Sequence, residues 1–71
     1  MNAQPIVDNL LNGNLTDAQT QAKKYSFWKL LMGIENLGYC TSLAANMTSY
    51  LKGQRTFGEY CRECRKHNFP L

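Results

Sequence analysis

Seventy-one residues, 44% apolar and 18% charged, suit one small folded domain and argue against intrinsic disorder. A chain this short cannot easily form a deep catalytic cleft and still bury enough apolar surface to stay folded. The net charge of +3 lies entirely in residues 52–71, because Lys23, Lys24 and Lys29 are balanced by Asp8, Asp17 and Glu35 in the first 51.

No apolar run approaches the roughly 18 residues of a membrane-spanning helix. The opening Met1-Asn2-Ala3-Gln4-Pro5 lacks the basic start and apolar stretch of a signal peptide. Three cysteines are an odd number, which argues against a complete disulfide framework. The expected setting is therefore a reducing, cytoplasmic one, and the Asn-x-Thr triplets at Asn14 and Asn46 read as chance matches.

In chain order, Pro5 suits a first helical turn, and Ile6, Leu10 and Leu11 share one face of a helix over about 5–12, ended by Gly13. Thr16 with Gln19 fits a capping box opening a helix over 17–25. Its apolar contacts are thin (Ala18, Ala22 and Tyr25, with Leu15 ahead), so it is placed on the surface. Ser26 caps a helix over 27–37, whose Phe27, Leu30, Leu31, Ile34 and Leu37 form the strongest apolar stripe in the chain. Gly33 costs that helix about 1 kcal/mol relative to alanine, which a close helix crossing would explain.

After Gly38, Thr41 or Ser42 caps a helix over 42–52 with Leu43, Ala44, Met47, Tyr50 and Leu51 facing inward. After Gly53, Thr56 with Glu59 forms a second capping box for a helix over 57–67. Strand signals are absent. The expectation is one all-α domain over 1–71, a compact bundle of four or five short helices. Its expected core is Phe27, Leu30, Leu31, Ile34, Leu37, Leu43, Met47, Leu51, Phe57, Tyr60 and Cys61.

The last stretch, TFGEYCRECRKHNFPL, admits three readings. Phe57, Tyr60, Cys61 and Cys64 fall at i, i+3, i+4 and i+7, a core-facing stripe on which the cysteines are small buried hydrophobes. Phe69 and Leu71 would fold back as a lid, with Pro70 blocking further helix. Alternatively, Cys40, Cys61, Cys64 and His67 make up one set of zinc ligands in a zinc-stabilised module. That set meets an obstacle, because residue 67 lies about 240° round the helix from residue 61 at about 100° per residue. The favoured reading has no metal and no cofactor. Third, Arg62, Arg65 and Lys66, with Lys52 and Arg55 just ahead of the stretch, form a cationic face that either is simply a solvated helix face or suits phosphates or an acidic protein.

Catalytic constellations are missing from the sequence. The single histidine has no evident orienting partner for a Cys–His pair, Glu59 and Glu63 are expected to pair with Arg62, Arg65 or Lys66, and no glycine-rich phosphate loop occurs. The chain reads as non-enzymatic. Residues 30–55 match a helix-turn-helix in part, with Gly38 at the turn and Leu37, Ala44 and Met47 at buried positions. Ile34 falls where that motif wants a small residue. The DNA-facing residues would be Ser42, Ala45, Asn46, Ser49 and Lys52, poor in arginine.

The stretches LLNGNLTDAQTQAKKYS and AANMTSYLKGQRTFGEYC resemble short uncharacterised all-helical accessory proteins of phages and plasmids. That resemblance covers most of the chain and implies a bacterial setting and an accessory role: binding and inhibiting a host or defence protein. Trp28, Tyr39 and the cationic residues are the expected anchors, since Trp, Tyr and Arg dominate interfaces. For Trp28 the alternative is a half-buried place at the core edge. A DNA-binding regulator is the alternative function, and a homodimer is compatible with either.

Overall fold

Positive backbone φ angles at Gly13 (78°), Gly38 (103°), Gly53 (74°) and Asn68 (54°) follow four of the five helices of the protein. The computed structural model describes residues 1–69. Its helices are α1 (Gln4–Leu11), α2 (Leu15–Ala22), α3 (Phe27–Glu35), α4 (Thr41–Leu51) and α5 (Phe57–Lys66), an all-α bundle with no strand among the described residues. Left-handed backbone lets the amides beyond a helix turn back onto its last free carbonyls. Thus Asn14 N–H donates to the Asn9 carbonyl, Gln54 to Ser49 and Phe69 to Cys64, at 2.8–2.9 Å.

Two start signals act as the sequence predicts. The Ser26 hydroxyl accepts from Lys29 N–H, and Thr56 and Glu59 form a complete reciprocal capping box. The Thr56 backbone N–H bond to its carboxylate holds Glu59 below the ordinary carboxyl range. Two of the other three starts differ from expectation. At α2 the Thr16–Gln19 box does not form, because Asn14 leads straight out of the α1 terminator and its carbonyl takes Ala18 N–H, so the helix begins at Leu15. At α4 the N-cap is Cys40, and the Thr41 hydroxyl donates to the Glu35 carboxylate at 3.1 Å.

The helices pack as two hairpins, α1 with α2 and α3 with α4, and α4 also meets α2 and α5. Central α4 is therefore covered on most sides: Leu43, Ala44, Asn46, Met47, Thr48, Tyr50 and Leu51 are all buried. Leu30, Leu31 and Ile34 of α3 meet it, with Phe27 and Leu37 half-buried at the margin. At Gly33 the expected close approach is present, but its partners are Met1 and Ala3, ahead of α1. A Cβ there would lie 3.3 Å from Ala3 Cβ and Met1 Cγ.

Three core expectations need correction. Phe57 is 46% exposed, because it opens α5 at the molecular edge, outside the stacked rings of Tyr50 and Tyr60 (centroids 4.7 Å apart). Leu11, expected on the inner face of α1, is exposed, and Val7 is buried there instead. The α1–α2 hairpin, placed on the surface by its thin apolar content, supplies Ala3, Ile6, Val7, Leu10, Ala18 and Ala22 to the core. Alanines let two backbones approach closely, so little apolar area suffices to seal this pair. Phe69 does return onto the core, whereas the lid expected at Leu71 and the helix block at Pro70 lie outside the described residues.

Candidate interaction surface

Leu30, Leu31 and Ile34 occupy the inner side of α3, so helical spacing turns Trp28, Lys29 and Met32 outward. Trp28 is 68% exposed and Met32, one turn on, is 63% exposed. The Trp28 ring is steadied edge-on by Phe27, with centroids 5.5 Å apart. Met1, also exposed, closes the flank of the same helix over Gly33. Met1, Tyr25, Lys29, Met32 and Gly33 line one open groove. Lys29 thus lines the groove itself, and Lys24 lines a neighbouring depression that shares Tyr25 with it. Trp28 and Met32, two large apolar side chains left in water one turn apart, make this helix face the candidate interaction surface.

Other residues expected to contact a partner are drawn into the fold. Lys52 is half-buried, and its ammonium donates to the carbonyls of Tyr25 (2.8 Å) and Ala22 (3.5 Å), closing the end of α2 where a cation is favoured. Arg55 donates to Asn46 Oδ1, while Asn46 Nδ2 donates to the Tyr60 carbonyl at 3.0 Å and lies 3.6 Å from Cys64 Sγ. Asn46 is only 1% exposed, which corrects its placement on an exposed DNA-reading face. The reason lies in α5, which covers that side of α4. Tyr39 is half-buried, its ring edge-on to Phe69 at 5.6 Å, rather than exposed.

The remaining cations are interleaved with acids. Lys66 pairs with Glu63 at 3.0 Å, which holds the Glu63 carboxyl below its ordinary range. Arg62 shares a depression with Arg55, Glu59 and Glu63. Arg65 is exposed. Glu59 caps α5 instead of forming the expected ion pair.

The four zinc candidates divide into two pairs. Cys61 and Cys64 face α4 and are buried, and burial pushes the Cys64 thiol up from its ordinary value. Cys40 is exposed, with its Sγ 4.0 Å from His67 Nδ1. Among the described residues no group of three or more His, Cys, Asp or Glu side chains gathers, so the Cys40, Cys61, Cys64 and His67 set is not assembled. The helical rotation between residues 61 and 67 sends the two thiols inward and the imidazole round to Cys40.

Met32 and Met1 went unread as surface residues in the sequence. Met32 was legible, since it follows Trp28 by four residues and falls opposite the Leu30–Leu31–Ile34 stripe. Met1 was not, because only the packing against Gly33 brings it there. No described helix is long and apolar enough to cross a membrane. Comparison with family models, with curated proteins and with solved structures finds no match to this chain.

Proposed function

We propose that this chain is a non-enzymatic interaction protein that binds a bacterial protein through the outer face of α3 and inhibits it. The observation that carries this reading is the pairing of Trp28 and Met32, the two most exposed large apolar side chains among the described residues, one turn apart on one helix. Tryptophan supplies a large rigid anchor, and methionine adapts to an irregular partner surface. Lys29 lies on this face and Lys24 in the adjoining depression, so the partner it fits presents an apolar pocket flanked by carboxylates. The resemblance to accessory proteins of phages and plasmids supplies the setting, a bacterial cytoplasm with a host or defence protein as target.

The test begins with a stoichiometric complex isolated from bacteria and continues with the purified partner. Trp28→Ala should weaken binding at least about thirtyfold, and Met32→Ala about tenfold, whereas Arg65→Ala should stay within about twofold. Raising salt should slow association by screening Lys24 and Lys29. If Trp28→Ala binds as tightly as the parent, the α3 face is not the interface. Tight duplex DNA binding that collapses with salt would replace this reading with the DNA-binding one.

A further inference from the structure

The three thiols of this chain differ sharply in access. Cys64 is fully buried beside Asn46, Cys61 is 6% exposed, and Cys40 stands in solvent. Only Cys40 has an imidazole beside it, with His67 Nδ1 at 4.0 Å across 27 residues of sequence. The geometry points to Cys40 as a modification site, where a low-molecular-weight disulfide exchanges onto the thiol with His67 as the proton acceptor.

The pair is held from both sides. Tyr39, adjacent to Cys40, packs edge-on against Phe69, two residues past His67. The chain reversal that places Phe69 is fixed by the left-handed Asn68 and by the Phe69 N–H bond to the Cys64 carbonyl at 2.9 Å. His67 is thereby a positioned C-cap residue rather than part of a loose tail. A separation of 4.0 Å is the outer limit of a sulfur hydrogen bond, and such bonds tighten as proton transfer proceeds.

Cys40 is also the N-cap of eleven-residue α4, and its side chain makes no capping bond. In thiol–disulfide exchange, negative charge spreads over the sulfurs in line, and here it builds next to the positive end of a helix. The Cys40 S–H proton passes to His67 Nδ1, and the sulfur attacks one sulfur of the reagent R–S–S–R. The Cys40–S–S–R bond forms as the reagent's own S–S bond breaks, and the departing thiolate takes the proton back from the imidazolium. The disulfide reagent is the oxidant, and one small thiol is released for each modified chain.

This site is separate from the α3 outer face: Trp28 stands in the first turn of α3, whereas Cys40 lies beyond its last residue. Failure of either assignment leaves the other standing.

The test uses the chromogenic aromatic disulfide dithiobis-nitrobenzoate on the native, reduced chain. One thiol equivalent should react in a fast phase, peptide mapping should place the adduct on Cys40, and the other two thiols should react only after denaturant. Cys40→Ser should abolish the fast phase with an unchanged melt. His67→Gln should slow the fast phase at least about tenfold and remove the imidazole-dependent limb of its pH–rate profile, leaving the helical circular dichroism intact. Native reaction of Cys61 or Cys64 as fast as Cys40 would overturn the assignment. So would a His67→Gln variant with the parent's rate and pH profile.

Discussion

The α4–α5 junction and the outer face of α3 both mix polar with large apolar side chains, and they turn that mixture in opposite directions. At the junction the polar groups point inward and every one is answered: Asn46 bonds Tyr60 and Arg55, and the Thr48 hydroxyl donates to the Ala44 carbonyl at 2.8 Å. No buried side-chain nitrogen or oxygen among the described residues lacks a partner. On α3 the apolar groups point outward, and no part of the described chain covers Trp28 or Met32. Residues of the first kind hold the fold, because each unmade buried hydrogen bond costs a desolvation penalty. Residues of the second kind bury little area in the fold, and the proposed binding role rests on them.

The comparison breaks first at the inner side of α3. Ile34 is fully buried, so Ile34→Ala should cost about 2–5 kcal/mol, enough to unfold much of a domain this small. Chemical denaturation followed by circular dichroism measures it. A loss below about 1 kcal/mol would mean that α3 is not docked as described.

Next in size is the polar junction. Asn46→Ala leaves the Tyr60 carbonyl and the Arg55 guanidinium without their partner, at an expected cost of about 1–3 kcal/mol. A neutral result would show that water replaces Asn46 and that the junction is looser than its geometry.

Alkaline titration sharpens the contrast without any mutation. Burial raises the Tyr60 and Tyr50 hydroxyls above the ordinary 10.0 and the Cys64 thiol above 9.0. Above those values the unfolded chain releases protons that the native chain retains. Stability therefore falls as pH rises, by about 1.4 kcal/mol per pH unit for each group fully so engaged. Tyr60→Phe should shallow that slope relative to the parent. Trp28→Ala, on the other face, should leave it unchanged.

The smallest expected effect is the one that matters for binding. Trp28→Ala and Met32→Ala should each shift unfolding stability by no more than about 0.5 kcal/mol while weakening the partner complex. A loss above about 1.5 kcal/mol would show that Trp28 belongs to the fold.

The all-helical class, the Ser26 and Thr56 caps and the Leu30–Leu31–Ile34 stripe were legible in the residues themselves. These are local matters, decided by φ angles, first-turn hydrogen bonds and side-chain periodicity within a few positions of sequence. So was the inward side of α5, since Tyr60, Cys61 and Cys64 repeat at helical spacing and all are buried. Tertiary structure decided the rest. Asn46 and Lys52 look like exposed polar residues until α5 and the end of α2 arrive beside them, and Phe57 looks like core until Tyr50 and Tyr60 stack inside it. The α1–α2 hairpin has too little apolar area to announce its burial, and only its docking against the other helices reveals it. Cys40 and His67 stand 27 residues apart, and no local rule brings them together. Their meeting depends on Phe69 folding back onto Tyr39, a contact between the α3–α4 loop and the segment after α5 that only the packed bundle creates.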